Sequence, residues 1–115
     1  MFLNVARGHD TSAPSEIVCR FLSRFRREEW PGQRLPEIYY DPRALEINTA
    51  KRASLHTKTA VVDGRTTFIS SANFTEAAQE LTIELDTLIH SVAFAAKVAW
   101  HFESLSASRT LRRAE

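Results

Sequence analysis

Within LHTKTAVVDGRTTFISSANFT, Leu55 to Thr75, stand a histidine, a lysine, an aspartate, two serines and an asparagine in otherwise strand-like sequence. On a strand, side chains two apart share a face. His56 and Lys58 therefore point the same way, Ala60 and Val62 continue that face, and Asp63 has the opposite parity. Asp63-Gly64 is a strong hairpin mark. Taken as a two-residue loop, it sets residues whose numbers sum to 127 opposite one another, with Ser71 across from His56 and Asn73 just beyond on the same face. One side of the ribbon would then carry an imidazole able to attack or to shuttle a proton. Beside it would stand an ammonium, a hydroxyl and a carboxamide able to bind an oxyanion. No carboxylate is expected among them, and the set suits a phosphate better than a carbonyl or a metal ion.

Each of these residues also has an ordinary reading. A strand histidine is usually a surface or satisfied core residue, and a lysine protects an edge strand from pairing. Asp-Gly makes turns, and Ser and Asn punctuate strand ends. No single ordinary cause requires all of them at this spacing, so the combination favours a site.

The elements that would position these groups are short. Met1–Ala6 reads as a buried strand. A helix is expected from about Glu16 to Glu29, capped by Ser12 or Ser15, with Ile17, Phe21 and Phe25 on one stripe, and Pro31 and Gly32 end it. EIYYD is a short strand closed by Pro42, and residues 43–52 form a polar connection. Ser54–Asp63 and Thr66–Ser71 flank the turn, LTIELDTLI adds a strand, and a helix covers Val92 to about Ser106. This β-α-β-β-β-β-α order predicts an α/β fold with a mixed β-sheet flanked by helices in layers.

Composition sets the outer bounds. A chain of 115 residues with 43% hydrophobic content suits one domain with a single core. The net charge is +1, so no global field draws it to nucleic acid or membrane, although 12 of its 15 cationic residues are arginine. One cysteine, Cys19, excludes an internal disulfide, and the sequence has neither a charged-then-apolar leader nor a long apolar run. The expectation is a soluble protein of a reducing cytoplasm.

HTKTAVVDG, followed by ISSANFT and ELTIELDTLI, resembles the H-x-K-x4-D signature of the phospholipase D superfamily with its downstream G-S-x-N and later Glu. The resemblance runs over about residues 55–102; upstream it rests on element order alone. It implies a phospholipase D-like domain over residues 1–115, holding one catalytic motif. It also implies metal-independent phosphodiester chemistry through a phosphohistidine, with no cofactor. In that scheme His56 is nucleophile or general acid. Lys58 and Asn73 hold the non-bridging oxygens, and Ser71 supports the pocket. Glu84 orients the imidazole through its second ring nitrogen, and Asp63 is structural. Ser70 departs from the pattern, standing where the family usually has Gly, so its backbone must avoid positive φ or the loop must differ.

The family chemistry takes two such motifs, and this sequence has one: His9, His90 and His101 have no Lys two residues on. His9 is read as a surface loop residue, and His90 and His101 as structural. A second motif would come from a homodimer partner or from an N-terminal half, the chain then being the C-terminal half of a two-motif protein. TSAPSEIV, YYDPRAL and SSANFTEAAQE also resemble the phospholipase D-like component of the bacterial DISARM anti-phage system. For substrate, nucleic acid is placed before phospholipid, because no helix reads as an amphipathic basic membrane surface. RFRRE and RTLRR are candidate phosphate contacts, but RTLRR holds no aromatic residue and RFRRE only Phe25, which the helix stripe claims for the core. The rival class is a catalytically silent module that binds phosphate or nucleic acid within a defence complex.

Overall fold

The computed structural model describes residues 1–72, 81 and 83–115. The chain divides into two compact units, Met1–His56 with Leu105–Glu115, and Thr57–Ser104.

In the first unit, α1 (Pro14–Arg24) starts where Pro14 occupies the first turn, a position whose amide needs no helical partner. Its N-cap residue is Ala13, which offers no side-chain acceptor, so neither Ser12 nor Ser15 caps it as expected. The helix runs on as a π-helical turn, Phe25–Glu29, and stops at Trp30, whose amide reaches the Phe25 carbonyl. Ile17 and Val18 of α1 pack with Val5 and Leu45, and Phe21, Leu22, Tyr40 and Ala114 close the cluster.

Three segments make a small mixed sheet around β1 (Tyr39–Tyr40). Phe2 bridges Tyr39 in parallel, and β5 (Arg112–Arg113) pairs antiparallel, Tyr39 with Arg113 and Tyr40 with Arg112. The expected strand Met1–Ala6 is thus reduced to one bridge. The connection expected to be simply polar holds two 3-10 turns, Pro42–Leu45 and Thr49–Lys51, and sends Ala44 and Leu45 into the core.

Two side chains tie these loops. Buried Arg7 donates to the carbonyls of Leu45 (2.6 Å), Asp10 (2.8 Å) and Ser12 (2.7 Å). Asp41, 4% exposed, caps the first 3-10 turn through the Arg43 amide and pairs with the Arg43 guanidinium at 2.7 Å.

The second unit is an antiparallel sheet ordered β2 (Thr59–Val62), β3 (Thr66–Ser70), β4 (Asp86–His90), followed by α2 (Val92–Ala107), whose final turn from Leu105 falls in the first unit. Asp63 (φ 53°) and Gly64 (φ 62°) make the tight turn, closed by the Arg65 amide on the Val62 carbonyl. Asp tolerates this left-handed backbone better than most residues, and Gly at no steric cost. The ladder nevertheless pairs Val62 with Thr66, so Arg65 is an extra residue, a bulge whose carbonyl turns to the Ser91 amide. That single residue overturns the expected register: facing numbers sum to 128, as in Thr59 with Ile69, and Thr57 rather than His56 is the position across from Ser71.

β4 is shorter than the expected LTIELDTLI strand: Leu81 is helical, and Ile83–Leu85 form no regular structure. Thr67 is fully buried on the central strand, and its hydroxyl finds no partner among the described residues. Large apolar side chains stand exposed in this unit, among them Ile83, Leu85, Leu88, Val92 and Trp100.

The Arg43 hydrogen bond, chiefly, holds the Asp41 carboxyl below the usual carboxylate range, against the opposing effect of burial. A lowered folded-state pKa contributes stability that is present above the unfolded-state value of about 3.9 and is lost as pH falls through the folded value. Asp41→Asn should therefore cost about 1–2 kcal/mol at pH 7. Urea titrations at a series of pH values should show the gap between variant and wild type closing below about pH 4.

Candidate functional site

The corrected register determines which groups meet. The Ser70 amide donates to the Lys58 carbonyl at 2.9 Å, carrying the β2–β3 ladder one step past Thr59, and Ser70 faces Asp86 across β3–β4. Lys58, Ser70 and Asp86 therefore form one cross-strand row on one face of the sheet. Half-buried Lys58 stands at one end of it, and Asp86 is exposed at the other. The row contains a carboxylate that the expected set lacked, and its hydroxyl belongs to Ser70 rather than Ser71. The cause is the bulge, since a one-residue slip exchanges the two faces of a strand.

Ser70 is 8% exposed, and its side chain is fully used. The hydroxyl donates to Asp86 Oδ1 at 2.5 Å and accepts the Ala72 amide at 2.9 Å, which turns the chain out of β3. Its φ is not positive: among the described residues other than glycine, only Asp63 and Arg109 are. A side chain at this position is therefore accommodated without backbone strain, and it adds a bond that glycine lacks.

Ser71 has the other parity, and it meets a residue the sequence also singled out. Its hydroxyl donates to Glu84 Oε2 at 2.5 Å and accepts the Leu85 amide at 3.0 Å, while its own amide reaches the Leu85 carbonyl at 3.2 Å. Two adjacent serines thus each hold one carboxylate and fix the end of β3 to the segment entering β4. Glu84 is exposed and held by a local hydroxyl, a geometry that fixes one of its oxygens.

His56 is exposed and is the last residue of the first unit's leading segment. Asp63 is exposed in the turn. Asn73 lies outside the described residues. The remaining histidines sit as structural or surface groups: His9 is exposed in its loop, His90 Nδ1 lies 3.3 Å from Thr66 Oγ1, and His101 makes an edge contact with Phe102. Among the described residues no three His, Cys, Asp or Glu side chains gather as a metal set. Asp86 is the group that sequence reasoning missed. Its signal, parity with Ser70 across β3–β4, is readable only once β4 is known to begin at Asp86.

A family model described as cardiolipin synthase, PLD-like domain, matches residues 26–106. No curated protein and no solved structure matches the chain.

Restoring the usual glycine should harm this chain. Ser70→Gly removes the bonds to Asp86 and Ala72 and puts the most flexible residue inside a strand, so a loss of about 1–2 kcal/mol is expected in urea unfolding. Ser70→Ala should lose somewhat less.

Proposed function

The chain belongs to the phospholipase D-like family, and on that premise we propose that it is a metal-independent phosphodiesterase acting on nucleic acid in the cytoplasm. The family match carries the reading, because residues 26–106 take in His56, Lys58, Asp63, Ser71, Asn73 and Glu84 in the order of the superfamily motif. The chain then constitutes one motif half, and a second copy or an N-terminal half supplies the other.

In this scheme a ring nitrogen of His56 attacks phosphorus. The bond to the leaving oxygen breaks, and that oxygen takes a proton from the histidine of the second motif. Water then attacks the phosphohistidine, gives its proton back to the second histidine, and frees His56. Lys58 and Asn73 neutralise the non-bridging oxygens as charge builds there. Glu84 holds the imidazole with its proton on the correct nitrogen, and Ser71, its hydrogen-bonded neighbour, keeps that carboxylate in place. Ser70, Asp86 and the turn at Asp63 brace the strands and take no part in the chemistry.

A second reading, phospholipid as substrate, has its own support. The family description names cardiolipin synthase, and the unit that holds Lys58, Ser71 and Glu84 exposes Ile83, Leu85 and Trp100. Among the described residues no helix is long and apolar enough to cross a membrane. A silent phosphate-binding module of a defence complex is the third outcome, and measured turnover of a phosphodiester would exclude it.

His56→Ala should lower hydrolysis of a labelled oligonucleotide by about a hundredfold or more with the fold intact. Retention of a tenth of the wild-type rate refutes the assignment. Turnover should survive EDTA, and Glu84→Gln should slow it without creating a metal requirement. If the second motif comes from another copy, specific activity should rise with chain concentration in step with dimer formation measured by sedimentation. Cleavage of phospholipid vesicles in preference to the oligonucleotide would establish the second reading.

A further inference from the structure

The two arginine-rich stretches fare differently once folded. In the first, Arg24 pairs with Glu28 and Glu29, and Arg27 with Glu28, so much of its charge is answered locally. In the second, Arg109 and Arg112 make no ion pair among the described residues, and Arg113 makes one, with Glu37 at 3.3 Å.

The fold also supplies what the sequence around these arginines lacks. β5 lies against β1, so Arg113 stands directly opposite Tyr39 and Arg112 opposite Tyr40. On the other side of β1, Phe2 bridges Tyr39, and the two rings lie 5.5 Å apart at 35°. Phe2, Tyr39 and Arg113 thus occupy one row across three neighbouring segments, while Tyr40 packs toward the core. Phe2 and Tyr39 are half-buried and Arg113 is exposed, so the row reaches solvent. Residues separated by more than a hundred positions in sequence are brought together by strand pairing alone.

Glu37 shows what such a row can hold. Its carboxylate lies 3.3 Å from the Arg113 guanidinium and 3.5 Å from the Tyr39 hydroxyl, and it is mostly exposed. An exposed pair of this kind is worth at most about 1 kcal/mol, so another anion can displace it. Two aromatic faces beside a guanidinium that already holds an oxyanion form the arrangement that binds a single strand, with bases on the rings and phosphate on the cation. Duplex DNA keeps its bases stacked inside and offers only the phosphates.

We infer that Phe2, Tyr39 and Arg113, with Arg112 at the edge, form a docking platform for single-stranded nucleic acid, Glu37 standing where a phosphate of the strand would sit. This rests on the nucleic-acid reading of the proposed function and adds to it strandedness and a surface outside the motif.

The test is fluorescence anisotropy of the full chain with a labelled twelve-residue oligothymidylate, its duplex, and an abasic strand of equal length. The background is His56→Ala, so that no turnover intrudes. Single strand should bind at least about tenfold tighter than duplex or abasic strand. Tyr39→Leu, which keeps an apolar side chain and removes the stacking face, should weaken single-strand binding by about tenfold. Arg112→Ala with Arg113→Ala should make the slope of log K against log salt shallower by about 1.4, two phosphate contacts at about 0.7 each. Glu37→Gln should tighten binding several-fold, a sign that a merely structural role for Glu37 does not give. Equal binding of the three probes, or a Glu37→Gln variant that binds no tighter, overturns the platform. Its failure is separable from that of the enzyme reading: the platform fails if oligonucleotide is cleaved but these variants bind as wild type. The enzyme reading fails, and the platform stands, if the variants behave as expected while no phosphodiester is turned over.

Discussion

Arg65, a single residue added between a tight turn and the strand that follows it, decides which side chains of this molecule share a face. The turn alone, Asp63 and Gly64 with positive φ, would pair Val62 with Arg65. The ladder instead pairs Val62 with Thr66, and the Arg65 carbonyl is satisfied by the Ser91 amide at the end of β4. The bulge is thus fixed from two sides, and the rest of the second unit follows from it. Lys58, Ser70 and Asp86 align in one row, Ser71 turns to the other parity and takes Glu84, and Thr67 goes wholly inside. Because strand parity is two-valued, a local insertion acts on every residue of the ladder at once.

The first unit is organised by satisfied backbone rather than by sheet. Its strands are two residues long, and its core is a modest cluster around Val5, Ile17, Val18 and Leu45. Short strands leave many peptide groups without ladder partners, and buried groups of that kind must be paired somewhere. Arg7, the Asp41 cap and the Asn48 cap on the Ala50 amide meet that demand for the loops on which the core residues ride. The short strands have a second result, since they bring Phe2, Tyr39 and Arg113 side by side with no help from sequence proximity.

What was legible in the sequence was what periodicity and turn chemistry encode. The helices after Ala13 and from Val92, the hairpin, the strand ending at His90 and the α/β class were readable, and the motif from His56 to Glu84 led to the family that the match over residues 26–106 shows. The face assignment was not legible, because Asp-Gly announces a tight turn with or without a bulge after it. Also hidden were β5, which is too short and too charged to read as a strand, and the burial of Ala44 and Leu45 within a polar stretch. Ser70 illustrates the general reason. A departure from a family pattern reads as a loss until its partner is known, and the partner, Asp86, comes from a strand whose start no periodicity marks.

The bonding of Arg7 sets how the first unit responds to its surroundings. All three of its acceptors are neutral peptide carbonyls, so no carboxylate takes part in holding it. Acid protonates Asp41 and weakens its hold on Arg43, and salt screens Arg20 from Asp10, whereas no acceptor of Arg7 carries a charge to be removed or screened. The joint of loop, helix start and 3-10 turn therefore rests on bonds that depend on neither acid nor salt in the way the ion pairs around it do. In acid, the carboxylates of this unit lose their charge, while the three carbonyl acceptors of Arg7 have none to lose.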